Sequence, residues 1–224
     1  MKSLYILISR TDTGFARLIR RYTGSYFNHA AVAFDSRLEQ LYSFARRARD
    51  LPLSGGLVRE SPLMYTLGRG DAEIRLYRVE VPDERFIAAR RTVQMMVRDG
   101  GYLYNLLSVC TYPFTHGLPA YKAQTCSEFT ALVLRIAGVP LDRPDCQYHP
   151  EDFTRLLADR EIYRGSLVGY CGDSRRTDGD PAYLRRHTLL EIAGSSLRSL
   201  ASTADRSLFE QPYSAPDVTG RRLL

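Results

Sequence analysis

An α+β fold is what this sequence predicts, and three observations carry the prediction. The chain opens on a short apolar run, Leu4-Tyr5-Ile6-Leu7-Ile8, of strand length. The stretch Glu73–Val81 (EIRLYRVEV) alternates apolar and polar residues with a period of two. The stretches 83–99 and 125–136 place apolar residues at helical spacing between a capping residue and a terminating glycine. The expected architecture is an antiparallel sheet packed with helices.

The elements follow in order. Ser3–Ser9 reads as a buried first strand. A helix should begin at Thr11 or Asp12 and end near Gly24, because Phe15, Leu18, Ile19 and Tyr22 fall at i, i+3, i+4 and i+7. His29–Asp35 (HAAVAFD) and Gln40–Phe44 (QLYSF) are expected strands, joined by a polar turn at Asp35-Ser36-Arg37. Arg46–Gly56 reads as loop, with Pro52 and the turn pair Gly55-Gly56. After the Glu73–Val81 strand, Pro82-Asp83-Glu84 opens a long helix that should set Phe86, Ile87, Val93, Met96 and Val97 on one side. Gly100-Gly101 ends it. Tyr102–Tyr121 reads as irregular and aromatic-rich. A helix from Thr125 or Cys126 to Ile136 stops at Gly138 and Pro140. Glu151–Ala158 is a short helix, and Glu161–Tyr170 a last strand. Beyond about Gly172, polar residues, glycine and proline dominate. Residues 1–171 therefore read as one domain and 172–224 as an appendage, with one amphipathic helix expected at Leu184–Leu200 and a loose end.

Composition bounds the function. With 224 residues, 44% hydrophobic and 25% charged, the chain is globular and long enough to bury a core without staples. No apolar run approaches the roughly 20 residues of a membrane helix. The N-terminal run ends at Ser9-Arg10 without a small-residue cleavage site, so a cytoplasmic location is expected. The net charge is +6. It is spread along the chain with no basic tail, so no nucleic-acid partner is expected. Arg46, Arg47 and Arg49 form a basic loop able to make a weak contact with an anionic surface. The four cysteines, at 110, 126, 146 and 171, form no CxxC and no metal-ligand spacing. Neither GxGxxG nor a P-loop occurs. No cofactor and no metal are expected.

Two residues point to chemistry. Cys126 lies at the N-terminus of an expected helix (QTCSEF), where unpaired amides and the helix dipole favour the thiolate, the nucleophilic form of cysteine. His29 opens a strand of small residues that lets another element approach closely. The plain alternative for each is structural: a small buried hydrophobe and a satisfied core histidine. His149, before Pro150, reads as a helix cap, and Glu128 as a partner of the helix dipole. The tyrosines at 102, 104, 112 and 121, with Phe114, read as core.

Asn28-His29-Ala30-Ala31-Val32-Ala33 resembles the histidine strand of the NlpC-like cysteine hydrolases, and Thr125-Cys126-Ser127-Glu128-Phe129 resembles their nucleophile motif. Histidine precedes cysteine here. That order is similar to the circularly permuted branch of this papain-like superfamily, which includes relatives of lecithin–retinol acyltransferase. Tyr102-Leu103-Tyr104-Asn105 and His149-Pro150-Glu151-Asp152-Phe153 are also similar to that branch, and the likeness covers residues 1–170.

The resemblance implies a papain-like α+β domain with the nucleophile helix against the sheet edge. It implies Cys126 as nucleophile and His29 as base. A third polar group, on the strand after the histidine strand, would orient the imidazole. Aligning the strand edges puts Ser43 there, with Gln40, Glu39 and, further off, Glu60 as other candidates. Asn28, Tyr104, Asn105 and Gln124 fall on the substrate side, with Gln124 as a second oxyanion donor beside the Cys126 amide. The expected function is hydrolysis of an amide or ester through a Cys126 acyl-enzyme, on a small molecule, a peptide or an acyl-lipid. Acyl transfer by the same fold and a binding module without catalysis are the alternatives.

Overall fold

In the computed structural model of the chain, the described residues are 1–11, 17, 20, 24–51, 54–66, 71–172 and 181–208. Eight strands form one sheet: β1 (Lys2–Arg10), β2 (His29–Ala33), β3 (Leu41–Arg46), β4 (Gly55–Glu60), β5 (Glu73–Val81), β6 (Leu103–Tyr104), β7 (Ala123–Gln124) and β8 (Glu161–Ser166). Their order is β7-β6-β4-β3-β2-β1-β5-β8. All neighbours are antiparallel except β6 and β7, which run parallel, so the sheet is mixed where a purely antiparallel one was expected.

The apolar run of β1 is explained by its place between β2 and β5, covered on both faces. Leu4, Ile6 and Ile8 enter the larger hydrophobic cluster and Leu7 the smaller one. The larger cluster lies under α2 (Asp83–Asp99) and α4 (Cys126–Ile136). Helix α4 crosses β2 and β3, in the middle of the sheet and not at its edge. On α2 the buried side is Phe86, Ala89, Thr92, Val93 and Met96; Ile87 and Val97 turn outward. Phe86, Val93 and Met96 follow the 3-4 helical spacing, and Ile87 and Val97 sit one step off it. Gly100, left-handed at φ 67°, ends the helix as expected and returns its amide to the Met96 carbonyl.

Several expectations are corrected. Gly55 and Gly56 are not turn residues; they begin β4. A Cβ on Gly55 would lie 2.6 Å from the Tyr104 Cβ, and one on Gly56 would lie 2.4 Å from the Tyr102 carbonyl oxygen. Glycine is needed there because β6 passes so close. The stretch 102–121 is not irregular throughout: it contains β6 and α3 (Leu106–Thr115), whose start is capped by the Asn105 side chain. Strand β8 stops at Ser166, whose Oγ accepts the Gly169 amide and starts α6 (Leu167–Cys171). The remaining described helices are α1 (Pro62–Thr66), α5 (Pro150–Leu156), α7 (Pro181–Leu184) and α8 (Leu189–Leu208). The C-terminal helix thus begins and ends later than expected. It packs on α3 and β6, and Arg206 donates to the carbonyls of Gly101 and Lys122. Most of the helix expected over 11–24 falls outside the described residues. Among the described residues no helix is long and apolar enough to cross a membrane.

Candidate active site

The start of α4 is fixed by a reciprocal cap. Thr125 Oγ1 accepts the Glu128 amide at 3.1 Å, and Glu128 Oε2 accepts the Thr125 amide at 3.3 Å. This pair satisfies two otherwise orphaned donors and holds Cys126 in the first turn. Cys126 is 4% exposed. Its neighbour across the sheet is β2, which is laddered to β3 only at Val32 and Ala33, so its first residues are free of that strand. There His29 and the Ala30 amide lie close enough to the Cys126 sulfur to favour its thiolate.

The other side of the imidazole is held by Glu60, the last residue of β4. His29 Nε2 lies 3.0 Å from Glu60 Oε1 and 3.2 Å from Oε2. That leaves Nδ1 for the sulfur. Tyr65, on α1, donates its hydroxyl to Glu60 Oε2, and its ring lies 5.7 Å from that of His29. His29, Glu60 and Tyr65 therefore form a hydrogen-bonded line from β2 through β4 to α1, with the Cys126 sulfur of α4 beside its imidazole end.

The electrostatics follow from that line. Burial lowers the proton affinity of His29, but the Glu60 carboxylate and the hydrogen bonds to Cys126 and Glu60 outweigh it and raise the pKa to about 10. Burial raises the Cys126 thiol, yet His29, the Ala30 amide and Ser127 bring it below the usual value. Both shifts favour the thiolate–imidazolium form of the pair. Burial and the neighbouring charges keep the Tyr65 and Tyr104 hydroxyls protonated well above the usual tyrosine range.

A pocket opens over the sulfur. Tyr104, Val109, Tyr112, Tyr148, His149 and Cys146 form much of its wall, and Asn28 contributes to it. Cys146, in the same wall, behaves oppositely to Cys126: burial, with the Glu128 carboxylate nearby, pushes its thiol up to about 11. Burial lowers the His149 imidazole below its usual value.

The expected site residues are distributed unevenly. Cys126 and His29 come together. Ser43 does not reach the imidazole; its Oγ is buried without a hydrogen-bond partner. Gln40 accepts from Arg90, and Glu39 lies on the surface near Arg37. The place beside His29 belongs to Glu60, because β4 pairs with β3 and ends beside α1. Tyr104 lines the pocket beside the Cys126 sulfur. The Asn28 side-chain amide is already committed to Thr11 and Arg20. Asn105 is spent capping α3 and binding the Leu118 carbonyl, away from the pocket wall. Gln124 is buried in β7 with its Oε1 unpartnered and outside that wall. Of the three arginines of the expected basic loop, Arg46 ends β3, and it and Arg47 donate to backbone carbonyls, so two of the three are held by the chain itself.

Sequence reasoning missed Tyr65 and the contribution of Cys146 and His149 to the pocket. Leu57-Val58 ahead of Glu60 was the one available sign that an acidic residue closes a strand. Compared with known proteins, the chain matches no family model, no curated protein and no solved structure.

Proposed function

We propose that this protein is a cysteine hydrolase of papain-like architecture, related to the permuted NlpC-like branch, acting on an amide or ester through a covalent Cys126 acyl-enzyme. The observation that carries the reading is the line Cys126–His29–Glu60, with the sulfur in the first turn of a capped helix. The Cys126 thiolate attacks the acyl carbon and forms a C–S bond. His29 gives its proton to the departing nitrogen or oxygen as the C–N or C–O bond breaks. In the second half, water attacks the thioester, loses its proton to His29, and the C–S bond breaks to restore the thiolate. Glu60 orients the imidazole and balances its charge through both half-reactions. The Tyr104 hydroxyl and the Cys126 amide are the donors proposed for the oxyanion.

The substrate is proposed to be a small molecule, peptide or acyl-lipid carrying an acyl group that fits beside Tyr104, Val109, Tyr112 and Tyr148. The three tyrosine rings of that wall, Tyr104, Tyr112 and Tyr148, also favour a second reading, in which an alcohol or amine replaces water as acceptor, because they limit the approach of water to the thioester. The test is a panel of activated p-nitrophenyl acyl esters with intact-mass detection. A burst of nitrophenol and an acyl adduct mapped to Cys126 are expected, with neither in Cys126→Ala. Adding alcohols or amines to the trapped acyl-enzyme separates the two readings: capture of the acyl group faster than hydrolysis identifies transfer. An adduct on another cysteine, or none on any ester, would contradict both.

A further inference from the structure

We propose that Tyr65 is a positioning residue: its hydroxyl fixes the Glu60 carboxylate in the orientation that holds His29 against Cys126. This rests on the catalytic reading of Cys126, His29 and Glu60 given above.

Glu60 is 6% exposed and closes β4. A buried carboxylate is costly unless its charge and its lone pairs are answered. Among the described residues His29 is the one basic side chain paired with it. The imidazole spreads its N–H between Oε1 and Oε2, at 3.0 and 3.2 Å, which by itself leaves the carboxylate free to rotate about its last bond. The Tyr65 hydroxyl, donating to Oε2, removes that freedom. Tyr65 is itself 7% exposed, and its ring packs in the smaller hydrophobic cluster. Phenylalanine would satisfy that packing equally well, so packing alone does not explain the hydroxyl. The other groups close enough to act on this end of the site are Tyr183 on α7, which feels the charges of Glu60, Arg46 and Arg49, and Cys126 on α4 beyond the imidazole. Neither tyrosine carries a charge near neutral pH, so Tyr65 acts as a neutral donor.

The consequence is readable at the sulfur. Without the Tyr65 donor the buried carboxylate is free to turn away from the imidazole. Turned away, it stabilises the imidazolium less, and the thiolate loses part of its partner's charge. Removing the hydroxyl should therefore shift thiolate formation to higher pH without blocking access to the sulfur.

The experiment measures the rate of Cys126 alkylation by iodoacetamide from pH 5 to 10 in the full chain. The wild type should show a thiolate limb below that of a free thiol. Tyr65→Phe should move the limb upward, lowering the rate at pH 6 by about tenfold while leaving the plateau at pH 9.5 within about twofold. Glu60→Gln should also move the limb upward, and adding Tyr65→Phe to Glu60→Gln should produce no further shift. A purely structural tyrosine would shift both backgrounds equally, or neither, and either result overturns the proposal. If Tyr65→Phe folds poorly, 3-fluorotyrosine placed at position 65 alone decides the matter. Its more acidic hydroxyl should move the limb downward, and an unchanged limb overturns the proposal. A wild-type Cys126 with an ordinary thiol profile overturns the catalytic reading and this inference together. A depressed wild-type profile that Tyr65→Phe leaves in place overturns the inference alone.

Discussion

A buried carboxylate persists only where its charge is answered, and Glu60 is answered by one imidazole and one phenol. Ser43 shows the opposite condition. Its hydroxyl is buried with no partner, so Ser43→Ala removes an unsatisfied polar group. That substitution should change stability by less than about 1 kcal/mol in chemical denaturation and leave the alkylation profile of Cys126 unaltered. Glu60→Gln should instead slow alkylation at pH 6. A Ser43→Ala variant that slowed it as much as Glu60→Gln would restore Ser43 to the site. The two histidines part in the same way: His29 is surrounded by negative charge and held protonated, while His149 is held neutral by burial. Of the site residues, Cys126 and His29 were legible from their neighbours, a polar N-cap and a strand of small residues. Glu60 was only an outer candidate behind Ser43, Gln40 and Glu39, because its place is set by strand pairing between β3 and β4, which no local pattern records.

Helix α4 carries both the nucleophile and the cap that places it. Burial raises the Glu128 pKa to about 8, against the hydrogen bond from the Thr125 amide. A carboxyl raised in the folded state favours folding fully below its unfolded pKa of 4.5, and that contribution fades as pH rises through 8. Glu128→Gln keeps an acceptor for the Thr125 amide and removes the titration. The melting temperature of the wild type should therefore fall relative to Glu128→Gln between pH 6 and pH 9; parallel melting curves across that range would show that Glu128 does not titrate there. Elements with strong local signals stand where they were expected: β1 and β5 by their apolar patterns, α2 by its opening Pro82 and its Gly100 stop, and α4 by its Thr125 cap. Strand β4 and helix α3 were hidden for physical reasons. The glycines of β4 are there for the close approach of β6 and not for a turn, and α3 contains Pro113 within an otherwise helical stretch.

At the scale of the molecule, the sheet brings together residues that lie far apart in the chain, and the C-terminal segment is docked against that assembly. Tyr183 on α7 is 4% exposed, and its carbonyl accepts the Arg49 amide at 2.9 Å. Tyr183→Ala should destabilise the protein by about 3 kcal/mol in denaturant titration, the cost of a buried aromatic truncation; a loss below about 0.5 kcal/mol would mean that the segment does not pack there in solution. Four thiols on one chain, in four different settings, then allow a single direct test of whether Cys126 is the activated one. The native protein is alkylated with a trace of iodoacetamide at pH 6, beside a His29→Ala variant, and the label is mapped by mass spectrometry. Cys126 should take most of the label in the wild type, ahead of exposed Cys110 and of Cys146 in the same pocket wall, and His29→Ala should abolish that preference. Label distributed by exposure alone, with Cys110 leading and His29→Ala without effect, would contradict the activated pair and the hydrolase built on it.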